Sequence, residues 1–449
     1  MDDAGMTEAG IVTAGAEEFD AAAVIELAAA LVRLRTVHDG GVHTVEAPAV
    51  ALVADLMHDF GWDVRVTEVA PGRQSVVGVI DGSKTGQSTG PSRTLMFEGH
   101  VDVVTEGDPA GWSFDPYAGD IVAGQLRGRG SADMKSGVAA MLYAARAVQL
   151  GGFSGRLVVG VLADEEGMML GAKRFARDLM AGSLPGIDAI DGVIVCEPEG
   201  GEVCPVAKGA IRIMVTFIGE MAHGAMPKMG RNPLPAIGSL LIALTEIERG
   251  YQARVGTHPS LGDFSMTPTA VAGGSLEQVN VIPATTVLAI DVRTVPGVEH
   301  QELIALVRSL AASLAVEHRL EAVVEILDDR PPVDTPVGDP VVRAMLAGHR
   351  AATGEDAVLG GVPGTTDGTI LTRDAGLPTV VYGPGGKWIA HQVDEVVEVA
   401  EIITCTRAYI AAARHFLAAG ASGPADSRPI ADSKPTADIG PTGGQRNPV

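Results

Sequence analysis

The sequence predicts an α/β protein: a mostly parallel sheet between two helix layers, three layers in all, with a ferredoxin-like α+β unit inserted into it. The first observation is that near-continuous strands of Val, Ile and Leu alternate with helices, which is typical of a parallel sheet buried on both faces. The second is a middle segment with the order β-α-β-β-α-β, the ferredoxin-like pattern. The third is the length of 449 residues, which favours two domains over one simple core.

The larger unit is predicted from apolar runs and from helical spacing. Apolar residues recur with the spacing of a helix at 21–34 and 131–150. Apolar strands that end in acids, histidine or glycine are predicted at 93–100, 155–167, 191–200 and 376–386. We therefore place this unit at 19–206 and, after the insertion, at 331–418.

The inserted unit is predicted at 207–330. Its helices are expected at 232–250 and 300–316, and its strands at 211–220, 267–274, 285–295 and 321–329. Both ends of the chain are expected to be disordered. Residues 1–18 are acidic with many small side chains, and residues 419–449 are rich in Pro, Gly, Ser and Asp.

Composition and charge exclude several classes of protein. The formal net charge of −23 argues against binding to nucleic acid or to an anionic membrane, since both need a basic surface. The acidic N-terminus lacks the pattern of a signal peptide, and no apolar window is long enough for a spanning helix. The three cysteines, Cys196, Cys204 and Cys405, show no CxxC spacing, so we expect a reducing, cytoplasmic location.

The stretch FEGHVDVVTEG (97–107) places His100 and Asp102 just after a buried strand. Residues i and i+2 of an extended segment share a face, so the imidazole and the carboxylate are expected side by side. A metal-bound histidine usually donates its second ring N–H to such a carboxylate. A hydrogen-bonded histidine at a strand end has the same pattern, so this stretch alone leaves both interpretations open.

Further acids and a second histidine follow other strands of the predicted sheet. They are Asp164–Glu166, Glu197 and, further along, His391, while Asp133 begins a helix. Each has an ordinary structural interpretation, such as a solvated turn or a helix cap. Together they bring two histidines and several carboxylates to the edge where open α/β sheets bind ligands. This donor set fits zinc or a similar divalent ion, and one carboxylate bridging two ions is the usual co-catalytic arrangement.

Five motifs carry a resemblance to a known family: GHVDVV, GRGSADMKSG, ADEEG, CEPEG and GPGGKWIAHQVDE. They resemble the motifs of the co-catalytic zinc deacylases and exopeptidases, which include acetylornithine deacetylase, succinyl-diaminopimelate desuccinylase, aminoacylase and glutamate carboxypeptidase. The likeness runs from about residue 20 to residue 418 and includes the inserted unit. It implies a catalytic domain whose inserted domain serves as a lid and as a dimerisation surface.

The resemblance implies a pair of divalent metal ions, with zinc as the first choice and cobalt as the alternative. Asp133 would bridge the two ions, and its peptide bond to Met134 would be cis. The remaining ligands would be His100 and Glu197 at one site, and Glu166 and His391 at the other.

The resemblance also implies catalytic and substrate-binding residues. Glu165 would be the general base, Asp102 would orient His100, and His223 would face the scissile carbonyl. The implied substrate-binding residues are Asn280, Arg293, Gly364 and Thr365. Without the resemblance, His223 has the pattern of an exposed loop histidine, and Arg293 that of a surface ion pair.

Two departures from the family pattern lie near the implied site. The family often has proline after DVV, where this chain has Thr105. The acidic motif usually continues with paired glycines, where this chain has Met168–Leu170. Neither position is an implied ligand, but both are expected to reshape the rim of the pocket.

The implied function is a metal-dependent hydrolase that cleaves the amide bond of an N-acyl amino acid with a water activated by two zinc ions. In extended geometry Glu165 and Glu166 would point to opposite sides, so one could bind metal while the other takes the proton of the water. A dipeptidase or carboxypeptidase has the same chemistry and is the alternative. A metal-free binding protein would lack a ligand or the base, and all are present. The implied partners are a small N-acyl amino acid or dipeptide and a second copy of the chain, whose active site His223 would reach.

Overall fold

The structure is a computed structural model that describes residues 18–37, 45–82 and 93–418. The predictions of disorder for 1–18 and 419–449 therefore lie, Glu18 apart, outside the described residues. Among these residues, no helix combines the length and the apolar character that crossing a membrane requires. The α-helices are α1 (Ala21–Val32), α2 (Ala47–Asp59), α3 (Ser136–Gly151), α4 (Leu170–Met180), α5 (Leu234–Val255), α6 (His300–His318), α7 (Pro340–Thr353), α8 (Asp367–Ala375) and α9 (Val399–Ala418).

The strands form one large sheet, one four-stranded sheet and two small ones. In chain order they are β1 (Asp63–Ala70), β2 (Arg73–Asp81), β3 (Thr94–Gly99), β4 (Ile121–Val122), β5 (Gln125–Arg127), β6 (Arg156–Val161), β7 (Gly192–Val195), β8 (Val203–Ala207), β9 (Gly209–Ile218), β10 (Ala222–His223), β11 (Ser265–Gly273), β12 (Val281–Ile282), β13 (Thr285–Thr294), β14 (Glu321–Arg330), β15 (Val333–Asp334), β16 (Leu359–Val362), β17 (Thr379–Val381) and β18 (Val396–Glu398).

The large sheet has the order β1-β2-β6-β3-β7-β17-β8-β15, with β16 paired to β8. Its central strands β6, β3, β7 and β17 are parallel, as the apolar runs predicted. The antiparallel hairpin β1–β2 at one edge was not predicted. Strand β1 is only partly buried along its length, so it lacks the continuous apolar run that marks a central strand.

Helices cover both faces of this sheet, which confirms the predicted layers. Along β3, Leu95 and Phe97 pack into one core cluster, whereas Met96 packs into another. The first cluster takes its helical residues from α1, α2, α3, α7 and α9, and the second takes them from α4 and α8. Strand residues alternate between the two faces, so β3 contributes to both cores.

The four-stranded sheet has the order β11-β13-β9-β14, and all its pairs are antiparallel. Helix α5 follows β9 and α6 follows β13, so the chain order is the predicted ferredoxin-like β-α-β-β-α-β. A separate core cluster joins this sheet to the two helices, with Phe217 and Leu288 fully buried in it. Helix α5 continues to Val255 instead of ending at residue 250.

Candidate active site

The candidate site lies at the C-terminal edge of the four parallel strands. His100 directly follows β3, the acidic segment 164–166 follows β6, and Glu197 follows β7. His391 lies in the longer loop after β17. Parallel strands end at one edge of a sheet, so side chains from distant parts of the sequence meet there.

Asp133 lies between the two histidines, in the turn that precedes α3. Its Oδ1 atom is 3.3 Å from Nε2 of His100, and its Oδ2 atom is 3.2 Å from Nε2 of His391. The peptide bond between Asp133 and Met134 is cis, as the sequence resemblance implied. A Cβ atom at Gly137 would lie 2.1 Å from the carbonyl oxygen of Cys196, so glycine allows α3 to begin against the end of β7. This close approach brings the Asp133 turn next to the Glu197 segment.

Each histidine has a carboxylate of its own. Nε2 of His100 is 3.2 Å from Oε1 of Glu197, and Nε2 of His391 is 3.1 Å from Oε1 of Glu166. Glu165 is slightly further from His100, with 3.9 Å between its Oε2 atom and Nε2. The site therefore consists of two halves that share the carboxylate of Asp133.

Charges in the site strongly perturb one another. The Asp133 and Glu166 carboxylates raise the pKa of His391 to about 10. Burial alone would lower the pKa of His100, but Glu197 and other acids raise it well above its usual value. Burial and the nearby Asp133 carboxylate together raise the pKa of Glu197 to about 8. Crowded carboxylates of this kind are stabilised by positive charge between them, which bound cations supply.

The donor atoms fit two metal ions. The Oδ1 atom of Asp133 is buried and, among the described residues, has no well-aligned hydrogen bond, although Nε2 of His100 lies 3.3 Å away, so a cation bound there would stabilise it. Two groups of three side chains each hold their donor atoms within 4.8 Å of one another: His100, Glu165 and Glu197, and Asp133, Glu166 and His391. Such nitrogen and oxygen donors suit zinc or a similar divalent ion. The structure thus brings all five expected ligands together, while their binding of metal stays a prediction.

Asp102 contacts His100 differently from the sequence-based expectation. Nδ1 of His100 is 2.8 Å from the backbone carbonyl oxygen of Asp102, and it is 3.6 Å from the carboxylate atom Oδ1. The carboxylate instead accepts hydrogen bonds from the backbone N–H groups of Glu165, at 3.3 Å, and Glu166, at 3.2 Å. The backbone carbonyl therefore orients the imidazole, and the side chain positions the acidic segment.

The acidic segment itself is a turn and not an extended strand. Asp164 has a φ of 71°, and the residues after it form a turn that leads into α4. The expectation that Glu165 and Glu166 alternate as in a strand is therefore wrong. The turn still separates the two side chains, since Glu165 lies beside His100 and Glu166 beside His391.

A buried arginine, Arg73, stabilises this turn, although the sequence assigned it no role. Arg73 bonds both carboxylate oxygens of Glu46 through Nε, at 2.6 and 2.7 Å. It also pairs with Asp164 at 2.8 Å and approaches Asp102 at 3.6 Å. One buried guanidinium thus balances three carboxylates behind the site, and breaking such a network is strongly destabilising.

Glu395 is the last residue of the motif GPGGKWIAHQVDE, and the sequence assigned it no role of its own. Its Oε1 atom accepts hydrogen bonds from the backbone N–H groups of Ala132, at 2.9 Å, and Asp133, at 3.1 Å. Its Oε2 atom pairs with Arg129, which also donates to the carbonyl oxygen of His391 at 3.4 Å. Glu395 therefore connects the Asp133 turn with the loop that carries the second histidine.

We expect Glu395→Gln to weaken metal binding about 10–100-fold, since such outer partners orient the ligands and their loss typically costs this much. Titration calorimetry with zinc on metal-free protein measures the effect. Glu398→Gln is the matched control, because Glu398 lies three residues further along, is exposed and bonds only to Gln125 among the described residues. Equal zinc affinity of the Glu395 variant and the wild type would contradict the assigned role.

A cavity of about 360 Å³ opens onto these carboxylates. Arg293, Gly364 and Thr365 line it, as expected of substrate-binding residues. Thr365 accepts a hydrogen bond at 3.1 Å from the buried Arg330, which also donates to the carbonyl oxygen of Gly167 at 2.8 Å. This arginine therefore joins the Thr365 loop to the acidic turn.

His223 and Asn280 are absent from the lining of this cavity. They lie together on the inserted unit, where the N–H of Gly224 bonds to the carbonyl oxygen of Asn280 at 2.6 Å. Both side chains are exposed. The structure does not bring these two residues to the site, so their roles stay predictions.

Comparison with known proteins agrees with this geometry. The sequence matches the model of peptidase family M20/M25/M40 over residues 96–415. A succinyl-diaminopimelate desuccinylase of Dinoroseobacter shibae is 30% identical over 334 residues, which cover 73% of this chain and 85% of that protein. An M20 family metallo-carboxypeptidase of Sulfolobus solfataricus has a TM-score of 0.70 at 14% identity, covering 88% of this chain and 99% of that one. A Bacillus subtilis structure, described as a dinuclear metal binding peptidase from the M20 family, has a TM-score of 0.61 at 16% identity, covering 88% and 98%.

Proposed function

Because the chain belongs to peptidase family M20/M25/M40, we propose that it removes the acyl group from an N-acyl amino acid with the help of two divalent metal ions, zinc in the first place. Members of this family hydrolyse amide bonds, and the chain is such a hydrolase. The observation that carries the proposal is the carboxylate of Asp133, which presents one oxygen to each histidine, at 3.3 and 3.2 Å. A shared carboxylate is the arrangement expected of a co-catalytic pair of ions.

The proposed metal ligands and the proposed general base have different roles in hydrolysis. Bound at these ligands, metal ions would lower the pKa of a water molecule and polarise the carbonyl of the amide. Glu165 takes the proton of the attacking water and passes it to the leaving amine. Asp102 holds the backbone of Glu165 and thereby positions this base. His223 donates a hydrogen bond to the developing oxyanion, and it arrives from a second subunit.

Arg293 is the proposed anchor for the carboxylate of the amino acid. Its guanidinium lines the cavity and bonds both carboxylate oxygens of Asp291, at 2.6 and 3.3 Å. A substrate carboxylate can take the place of Asp291, because an arginine fork binds any carboxylate in the same two-pronged way. Gly364 and Thr365 would contact the substrate on the neighbouring wall, and Asn280 would join them from the lid.

The name of the desuccinylase relative supports an acylated amino acid as the substrate. The alternative is a dipeptidase or carboxypeptidase, and the likeness in fold to the Sulfolobus solfataricus carboxypeptidase keeps this alternative open. Both functions use the same chemistry at the same carboxylates. They differ in what the cavity must accept on the acyl side of the amide.

We propose further that the chain is a homodimer joined through the inserted domain, residues 207–330. Strand β11 is an outer strand of its sheet, and all residues from 267 to 280 are exposed. Within this stretch Leu276 is 96% exposed and Val279 is 85% exposed. An exposed edge strand that is followed by an exposed apolar segment invites pairing with a second copy. Analytical ultracentrifugation tests this part of the proposal, and a monomer at micromolar concentration would contradict it.

The location proposed for the enzyme is the cytoplasm, and no nucleic acid or membrane is among the proposed partners. The three cysteines are buried and free, as suits a reducing compartment. The net charge of −23 supports the exclusion of polyanionic partners.

Removal and replacement of metal tests the proposed function. We expect protein stripped with a chelator to lose hydrolysis of N-acetyl and N-succinyl amino acids, and zinc or cobalt to restore it. Elemental analysis of the restored protein is expected to give about two ions per chain. Full activity in protein shown to be free of metal would contradict the proposal. Hydrolysis of dipeptides but of no N-acyl amino acid would favour the alternative.

A further inference from the structure

Five carboxylates line the cavity, and four of them belong to the proposed metal and base positions: Asp133, Glu165, Glu166 and Glu197. The fifth is Glu199, which is 2% exposed and lies two residues beyond Glu197. Among the described lining residues it is therefore the carboxylate that remains for a charged group of the substrate. Its own partners decide whether the cavity can hold an ammonium group.

Lys387 pairs with Glu199 through the Oε2 atom of that carboxylate. Its Nζ atom lies 2.7 Å from Oε2 of Glu199 and 2.7 Å from Oε2 of Glu202. The third N–H of the ammonium donates to the carbonyl oxygen of Gly361 at 3.2 Å. All three donors of Lys387 thus have partners on the protein, and the same oxygen of Glu199 accepts from the thiol of Cys204 at 3.2 Å.

This arrangement resembles a metal site in which the ammonium group of Lys387 takes the place of the metal ion. The donor atoms of Glu199, Glu202 and Cys204 lie within 4.8 Å of one another, as a metal site requires. The ammonium of Lys387 already supplies the positive charge between the two carboxylates. Bonding to these carboxylates raises the pKa of Lys387 against the effect of burial, so the side chain stays charged.

We propose that Lys387 is a specificity-determining residue: by holding Glu199 it denies the cavity an anchor for a substrate ammonium, so the enzyme favours N-acyl amino acids over peptides with a free N-terminal amine. This inference rests on the proposed function and names the substrate class of the same site. A charged amine that loses its water in the cavity needs a carboxylate to compensate. Here the carboxylate that remains, Glu199, is already paired with Lys387, whose positive charge also lines the cavity and repels an ammonium group.

A matched pair of substrates tests the inference directly. An N-acetyl amino acid and the glycyl dipeptide of the same amino acid differ by one amino group on the acyl side. For the zinc-loaded wild type at pH 6.5, we expect kcat/KM to be at least about tenfold higher for the acetyl compound than for the glycyl dipeptide. Most of this difference is expected as a higher KM for the dipeptide, because its uncompensated charge makes binding less favourable. The ratio is expected to fall between pH 6.5 and 9, because the terminal amine loses its proton near pH 8.

Variants of Lys387 and Glu199 test whether Lys387 causes the preference for the acetyl compound. Lys387→Met is expected to lower the acetyl-to-glycyl ratio about tenfold, because Glu199 becomes available to the ammonium of the dipeptide. The double variant Lys387→Met with Glu199→Gln is expected to return to the wild-type ratio, since the anchor is then gone. Lys387→Arg keeps a cation beside Glu199 and is expected to keep the preference.

The outcomes separate this inference from the proposed function. A wild type that hydrolyses the glycyl dipeptide as well as the acetyl compound at pH 6.5 overturns the inference and leaves amide hydrolysis standing. A folded Lys387→Met variant with an unchanged ratio overturns the role of Lys387. If this variant does not fold, a wild-type ratio that stays constant from pH 6.5 to 9 overturns the inference instead. Hydrolysis of neither compound, for any amino acid tried, overturns the proposed function and this inference with it.

Discussion

Glu165→Gln is expected to lower kcat by about 10²–10⁴-fold while the protein keeps its metal ions, because an amide cannot take the proton of the attacking water. Glu165 lies beside His100, with 3.9 Å between Oε2 and Nε2, and it faces the cavity. Burial raises the pKa of Glu165 well above its usual value, and Glu197 and Glu166 increase it further. A base that later acts as an acid must return its proton to the leaving amine, and a raised pKa makes the carboxylate a stronger base for the first of these steps.

Glu166→Gln is the matched control, since it makes the same chemical change at the neighbouring residue. Glu166 lies 3.1 Å from His391, in the half of the site that contains Asp133. We expect this variant to lose metal, because a neutral amide is a poor ligand beside a histidine. Elemental analysis and steady-state kinetics of both variants distinguish the two roles. High turnover in the Glu165 variant, or metal loss there and not in the Glu166 variant, would contradict the assignment.

His223→Ala is expected to lower kcat by about 10²–10³-fold, the usual cost of removing one donor to an oxyanion. The N–H of Ala225 donates to Nδ1 of His223 at 3.0 Å, so in the neutral ring Nε2 carries the proton. This tautomer presents an N–H donor outward from the inserted domain. The side chain is exposed and does not line the cavity of its own chain, which is why we expect it to act on a partner's site.

Mixing two inactive variants tests whether His223 acts across the dimer. A heterodimer of Glu165→Gln and His223→Ala contains one site with both residues, if each site takes His223 from its partner. Equal mixing with free subunit exchange then restores about a quarter of the wild-type sites, because half of the dimers are mixed and each has one complete site. Mass spectrometry of differently tagged subunits verifies the exchange. Exchange without recovery of activity would show that His223 acts on its own chain or takes no part in catalysis.

Local patterns in the sequence predicted most of the architecture. The apolar runs predicted the parallel strands β3, β6, β7 and β17, and the alternating pattern of the middle segment predicted the ferredoxin-like order. They also placed His100, Glu197 and the acidic segment 164–166 at one edge, since parallel strands share their C-terminal edge. The hairpin β1–β2 was missed; its outer strand β1 is only partly buried and carries no continuous apolar run.

The tertiary structure alone decided how the site is held. Glu395 bonds the backbone of Asp133 from 262 positions away, and Lys387 pairs with Glu202 from 185 positions away. Lys387 and Glu395 lie inside the motif GPGGKWIAHQVDE, yet the sequence assigned them no role, because no local pattern shows which distant partner a buried charge will meet. The sequence by itself thus determined which chemical groups reach the edge of the sheet. Which carboxylates pair with the buried arginines and with Lys387 was decided by packing, since pairing of buried charges depends on three-dimensional proximity.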